Sequence, residues 1–489
     1  MNRDAILQRI LARREPWDLA VIGGGATGAG IALDAASRGY NVALFERSDF
    51  GKGTSSRSTK LVHGGVRYLQ QGNIPLVMEA LKERGLLLRN APHLVRDMEF
   101  IVPNYAWWEA PFYGIGLKVY DLLAGRYGFG PSRVLSREQV LERIPTLSQD
   151  GLRGGVMYHD GQFDDARLLI ELVQTAAEHG ACPLNYARVD GFTKDTHGFI
   201  AGLNFCDEES GVQHTIAARG VVNATGPFCD AMRRADEPAA ASMIAPSQGV
   251  HLVFDRTFLP GDAAIMVPHT RDGRVMFAIP WHGHTLVGTT DTPIAEATAE
   301  PVARAEEVDF ILATAGDYLA KRPTRADILS VFTGIRPLVK SDDSAHTAAL
   351  SRDHTIQISS SGLLTIVGGK WTTYRKMAED AVDHAAVLAH LDERPCITRD
   401  LPIHQTLFRE HDLAISTEQI IHFARHECAR TVEDVLARRT RALFLNTKAA
   451  LAMAPEVARL VAQELDRDEV WQQQQLAAFR EVAAHFAVP

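Results

Sequence analysis

Cysteine is scarce and scattered. Cys182, Cys206, Cys229, Cys396 and Cys428 are the five in the chain, and no C-x-x-C pair occurs. That excludes a disulfide framework, a zinc ribbon and a dithiol redox centre. Long apolar runs are missing as well: no segment reaches the roughly 18 uncharged apolar residues that a spanning helix needs. Positive charge is outweighed, 51 Lys and Arg against 60 Asp and Glu leaving a net charge of −9. This argues against a general nucleic-acid binder, because polyanion affinity comes from neutralising phosphates, so an anionic substrate would need a local cationic pocket. Internal repeats are absent, and the one low-complexity patch is Gln472 to Gln475. The stretch from Met1 to Trp17 has no continuous apolar core and carries Asp4 and Glu15, so neither a secretory signal nor a transit peptide is expected and the chain should stay where it is made.

What is present has an ordinary globular composition, 46% hydrophobic and 23% charged over 489 residues, enough for about two to four domains and a large core. Ile6, Leu7, Ile10 and Leu11 have helical spacing and predict a terminal helix docked on the body. Eight aromatics fall in the 27 residues from Asn104 to Gly130, Trp107, Trp108 and Phe112 among them. They suit either a membrane interface or a buried aromatic cluster. The middle of the chain alternates strand-like runs such as GVHLVF and RVMFAIP with Gly, Asp and Pro turns, predicting a largely antiparallel domain. From about Pro395 onward, capping boxes at Ser416 and Thr431 and helical periodicity predict a separate all-α domain. Arg430, Arg438, Arg439 and Arg441 cluster there; with Glu433 and Asp434 among them, a solvated helix face is expected rather than a lipid-facing one. His422 and His426 share a helix face without a third ligand, so no metal site is expected.

The segment from Asp18 to Glu46 reads as strand, glycine turn, helix and second strand. Gly23 permits the tight turn, Gly25 lets backbone approach a pyrophosphate, and Gly28 permits close helix packing. Glu46, 18 residues beyond Gly28, can accept a hydrogen bond from a ribose 2′-hydroxyl. Only one such fingerprint exists. The late strand–Gly-Gly–helix segment from Leu363 to Val382 would set a helix N-terminus against the electron-rich edge of a reduced flavin, and VVNATGP offers a further small-residue turn. Together these favour FAD over NAD.

The motifs GGGATGAG, TSSRSTKLVHGGVRYLQ, DGQFDDARL, VVNATGPF, VGTTDT, GIRPLV, SRDH and GGKWTTYRKMAED closely resemble those of the FAD-dependent glycerol-3-phosphate dehydrogenases, in an order covering roughly Asp18 to Asp380. The segment VEDVLARRTRALFLN resembles that family's helical domain. The resemblance implies an α/β fold: a doubly wound FAD-binding domain of the glutathione-reductase-like Rossmann type (about 16–100, 150–230 and 345–390), interleaved with a mainly antiparallel β substrate domain (about 101–149 and 231–344). An all-α C-terminal domain follows at 391–489. It implies oxidation of sn-glycerol 3-phosphate to dihydroxyacetone phosphate by hydride transfer to flavin N5, with electrons passed to ubiquinone or menaquinone. The enzyme would sit peripherally on the inner, cytoplasmic face of the membrane, with a homodimer as the default assembly. An oxidase passing electrons to oxygen is the alternative. A nucleic-acid-binding or assembly flavoprotein would predict a basic face, which the acidic balance opposes.

Oxidation of a secondary alcohol carrying a phosphate needs a proton acceptor and cations with bidentate reach. His251 and Arg336 are the catalytic candidates, with His63 a rival base. Arg67, Tyr68, Arg336, Arg352, Lys370 and Thr289 are the expected substrate contacts. Cofactor contacts are expected from Gly23, Gly25, Ala26, Thr27, Gly28, Glu46, Thr54, Ser55, Ser56, Lys60, His63, Gly64, Gly226, Gly369, Lys370, Thr372 and Thr373.

Overall fold

The computed structural model describes residues 1–66, 69, 72–268, 270, 273–340, 354–406 and 413–489. Two sheets organise it. In the first, strands Trp17–Ile22, Val42–Phe45, Cys182–Leu184, Gln213–Asn223 and Leu363–Gly368 are parallel to their neighbours. His354–Ile358 closes one edge antiparallel, and the hairpin Ala187–Lys194 with Ile200–Asp207 extends from the long strand Gln213–Asn223. Side chains alternate across the central strand as the two-residue strand period demands. Leu19 and Val21 pack against helices Ala26–Ser37, Asp165–Glu178 and Tyr374–Leu388, whereas Ala20 and Ile22 pack against the hairpin. Both faces are covered, as a parallel sheet requires. The N-terminal helix Arg3–Ala12 docks beside that second face through Ile10.

Among the described residues the second sheet has ten strands, antiparallel except for the pair Ala264–Val267 and Val95–Asn104. Next to one edge runs the long strand Ile244–Asp255, paired over most of its length with the edge strand Ile328–Val339 and on its other side with His284–Gly288. Strands Val95–Asn104 and Gly154–Phe163 belong to this sheet, although most of their residues fall in stretches assigned from sequence to the nucleotide unit. Apolar alternation marks a strand but does not say which sheet it joins.

Helices Thr417–His426, Thr447–Glu464 and Glu469–Ala484 form the C-terminal region. Its apolar residues share one continuous cluster with Phe100, Tyr158, Val253 and Phe332 of the second sheet. Val331 N donates to Phe486 O at 2.9 Å and Ser330 Oγ to Leu443 O at 2.9 Å. The arginines there are not on a solvated face. Arg438, Arg439 and Arg441 are among the largest fully buried side chains, each paired with carboxylates: Asp49, Glu433 and Asp434 around Arg438, Asp49 and Glu427 around Arg439, and Asp164 beside Arg441. Nearness in sequence reveals only Glu433 and Asp434 as partners, which is why a solvated face is expected from it. Asp49 and Asp164 come from hundreds of residues away.

The aromatic segment divides between its two readings. On helix Glu109–Ala124, Tyr113, Leu117 and Tyr120 enter the core. The opposite face leaves Phe112, Ile115 and Leu122 exposed, as are Trp107 and Trp108 just before the helix, Leu122 and Trp107 by 80% and 78%. Among the described residues no helix is long and apolar enough to cross a membrane.

Candidate active site

A cleft of about 720 Å³ opens where the parallel strands end. Ile22 and Gly23, Phe45 and Glu46, Ala224 and Thr225, and Gly368 and Gly369 follow one another at the carboxyl ends of four strands. This is where open α/β sheets bind nucleotides. The cleft continues across to the second sheet, reaching His251, Thr289 and Arg336 and then an apolar wall of Phe100, Tyr158, Met266 and Phe277.

The nucleotide end is made largely of backbone. Gly23 holds φ at +106°, and a Cβ there would lie 2.6 Å from Ala224 O; at Gly28 a Cβ would lie 1.8 Å from Gly23 O. Gly25 caps helix Ala26–Ser37 with no side-chain cap of its own, so the first-turn N–H groups face the cleft, where a diphosphate is stabilised by them and by the helix dipole. Ser55 Oγ accepts from Ala26 N at 2.9 Å. Glu46 accepts from Gly24 N at 2.7 Å and Ser48 N at 2.9 Å, which anchors the turn. Burial pushes its carboxyl above the ordinary range while these two N–H donors oppose that. Arg47 lies over the Phe228 ring at 4.5 Å, beside Ala187, Val189 and Met232 on the cleft wall. A wall without Cβ atoms, a helix N-terminus and a carboxylate after the second strand together fit the pyrophosphate and ribose of a dinucleotide.

Loops 54–63 and 368–373 are stitched together beneath this groove. Trp371 Nε1 donates to Ser55 O at 2.8 Å, and Thr372 Oγ accepts from His63 N at 3.2 Å. Thr54 Oγ donates to Ile335 O at 2.6 Å, tying the same loop to the second sheet.

At the substrate end His251 is 2% exposed on strand Ile244–Asp255, opposite Gly288 and Phe332. A Cβ at Gly288 would lie 2.3 Å from the imidazole, so that glycine makes its space. The ring stacks on Phe332 at 4.8 Å, and Nε2 shares a 2.9 Å hydrogen bond with Thr59 Oγ. Nδ1 is enclosed and has no hydrogen-bond partner among the described residues. Nε2, beside the cleft-lining Thr59, is thus the nitrogen placed for proton exchange. Burial, then the charges of Arg336 and Lys60, hold the imidazole well below its ordinary pKa, so it is neutral at physiological pH. Arg336 is aimed by Thr290 O at 3.1 Å, Thr289 Oγ at 3.3 Å and Asp291 at 3.3 Å. A Cβ at Gly249 would lie 2.5 Å from its fork. Buried Glu307 accepts from Thr290, Thr292 and Gln248, fixing that turn from behind. Lys370 also lines the cleft.

Of the residues expected from sequence, Gly23, Gly25, Ala26, Thr27, Glu46, Thr54, Ser55, His63, Gly226, Gly369, Lys370, Thr372, Thr289, His251 and Arg336 line this one cleft. Arg67, Tyr68 and Arg352 lie outside the described residues. Five others stand behind the wall. Gly28 lets the helix pack, and Gly64 lets Leu81 and Tyr120 approach. Thr373 caps its own turn. Ser56 offers its carbonyl to Lys60, whose ammonium points inward to Asp165 at 2.8 Å among Trp281, Phe332 and Phe444. Lys60 is corrected from a cofactor contact to an interior ion pair, because its neighbours Ser58 and Thr59 take the cleft side. Thr59, Arg274 and Asp291 line the cleft without having been singled out. Thr59 stood in a polar loop motif with nothing to mark which hydroxyl meets His251.

Residues 18–375 match the family model of FAD-dependent oxidoreductases, and residues 363–473 that of the C-terminal domain of alpha-glycerophosphate oxidase. The human mitochondrial glycerol-3-phosphate dehydrogenase is 39% identical, the alignment covering 96% of this chain and 73% of that one. The structure of the glycerol-3-phosphate dehydrogenase from Bacillus halodurans complexed with FAD superposes with a TM-score of 0.81 at 32% identity, covering 100% of this chain and 98% of that one. The L-alpha-glycerophosphate oxidase of Mycoplasma pneumoniae, 15% identical with a TM-score of 0.59 over 80% of this chain and all of its own, shares the fold.

Fold and cleft together define an FAD-dependent oxidoreductase, with FAD as the cofactor that the glycine wall, Glu46 and the 368–373 turn would hold. Within that class, the chain belongs to the family of FAD-dependent glycerol-3-phosphate dehydrogenases.

Proposed function

We propose that the protein oxidises sn-glycerol 3-phosphate to dihydroxyacetone phosphate and delivers the electrons to a membrane quinone, ubiquinone or menaquinone. The observation that carries this reading is the meeting, in one cleft with the nucleotide wall, of a neutral buried histidine and cationic Arg336 and Lys370. FAD, when bound, supplies the acceptor for the hydride of the carbinol carbon. The Arg336 fork and Lys370 hold the phosphate, each charge-assisted hydrogen bond contributing about 1.5 to 3 kcal/mol. His251 Nε2, with the Thr59 hydroxyl, takes the alcohol proton. The local cations answer the net charge of −9, because a focused pocket attracts an anion whatever the overall sign.

Peripheral attachment to the membrane, which we place at its inner, cytoplasmic face, is supported by the exposed Phe112, Ile115 and Leu122 of helix Glu109–Ala124 together with Trp107 and Trp108 just before it, a surface that suits the headgroup–acyl boundary. Transfer to oxygen is the second reading, favoured by the match of residues 363–473 to the alpha-glycerophosphate oxidase domain. The test is anaerobic addition of glycerol 3-phosphate to the yellow protein, followed by a quinone analogue or oxygen. Bleaching reversed by quinone supports the proposal. Oxygen uptake with stoichiometric peroxide, undiminished without quinone, would replace it by the oxidase, and no bleaching at all would remove the substrate assignment.

A further inference from the structure

Among the described residues none beyond Met377 lines the cleft, and the described part of the C-terminal region stands back from it. It does grip the loop that makes the nucleotide wall. Residues 46–59 run along the cleft from Glu46 to Thr59, and Asp49, at their turn, is fully buried. A six-residue π-helical turn, Asp434–Arg439, places two consecutive arginines on that one carboxylate. Arg438 Nε and Arg439 Nη1 both reach Asp49 Oδ2, and Arg439 Nη2 reaches Oδ1 at 3.0 Å. Arg438 is held in turn by Glu433 at 2.7 Å and Asp434 at 2.8 Å. Three residues along the loop, Lys52 donates to Glu433 at 2.7 Å and lies 3.3 Å from Glu300, which also accepts from Arg57 at 2.6 Å. Burial raises the Asp49 carboxyl, but Arg439 and Arg438 pull it below its ordinary value. Glu433 is likewise held down to about 2, burial being outweighed by Arg438 and Lys52.

We propose that Arg438 and Arg439 are positioning residues for FAD. Acting through Asp49 and Lys52, the C-terminal turn holds loop 46–59 in the shape that receives the dinucleotide, and cofactor affinity depends on it. The physical basis is the all-or-none character of a buried charge network. With every partner present the loop has one arrangement; with the Arg438 guanidinium removed, the buried carboxylates Asp49, Glu433 and Asp434 keep only Arg439 and Lys52 as cations, and the loop must shift to rehydrate the unbalanced charge. By linkage, bound FAD then stabilises the docked C-terminal region in the same measure.

The test compares FAD affinity and thermal unfolding, with and without FAD, in three variants of the full chain: Arg438→Met, Arg438→Lys and Val461→Ala. Val461 is fully buried in helix Thr447–Glu464, away from the loop. Arg438→Met is expected to raise the FAD dissociation constant about tenfold or more, equivalent to some 1.4 kcal/mol, and to shrink the rise in Tm that FAD produces. Arg438→Lys should recover part of both, keeping the charge but losing the fork. Val461→Ala should lower Tm in both states and leave FAD affinity unchanged. If Arg438→Met fails to fold, Arg438→Lys carries the comparison alone. FAD affinity unchanged in the arginine variants, or weakened equally in Val461→Ala, overturns the proposal and leaves the network a structural tie only. Because FAD binding is measured without substrate, this outcome is independent of the acceptor question.

Discussion

The two ends of the cleft are built on different principles. At the nucleotide end, recognition rests on backbone: glycines that admit close approach, the N–H groups of one helix turn, and a carboxylate contributed within 24 residues of Gly23. At the substrate end, His251, Thr59, Arg336, Thr289 and Lys370 arrive on separate segments, aimed by partners such as Glu307 that stand behind the cleft wall. A backbone site tolerates no added atom but needs few specific side chains. A side-chain site is the reverse, so equal-sized changes at the two ends should fail in different ways.

The largest effect belongs to the backbone end. Gly28→Val would thrust side-chain atoms where a Cβ already lies 1.8 Å from Gly23 O. A colourless protein that cannot be loaded with excess FAD is expected, and normal flavin absorbance would break the contrast at its root. Next comes His251→Asn, which should retain FAD yet slow flavin reduction at saturating substrate by about 10²- to 10⁴-fold. The same variant has a pH signature. Burial keeps His251 neutral in the folded protein well below its ordinary value of 6.5, so on acidification the unfolded chain takes up this proton first. The site's contribution to stability is therefore complete above about pH 6.5 and is lost as pH falls below it. The drop in Tm between about pH 7.5 and 5.5 should be shallower in His251→Asn; an identical slope would place the proton uptake elsewhere. Smallest, Arg336→Ala should raise KM for glycerol 3-phosphate by roughly 10²-fold through loss of charge-assisted contacts, with FAD affinity untouched. A fall in kcat alone would move Arg336 from anchoring the phosphate to the chemical step.

The nucleotide end was legible because its requirements are local. Gly23, Gly25 and Glu46 lie close enough in the chain for spacing to imply geometry. His251 and Arg336 were legible as residue types in motifs, but the Thr59 hydroxyl that meets His251 was one of several in a polar loop. Lys60 illustrates the limit: one residue beyond Thr59, it turns to the opposite side and meets Asp165 in the interior. The helix Glu109–Ala124 did likewise, its aromatics dividing between core and surface in a way that composition could not anticipate.

By itself the sequence determined the βαβ unit and the alternation that gives each strand two faces, since both follow from interactions within about 30 residues. Tertiary structure alone decided which strands share a sheet, which hydroxyl meets His251, and whether Arg438 and Arg439 face water or Asp49. Burying a charge is tolerated only when its partner is already in place, and here the partner stands almost four hundred residues away along the chain.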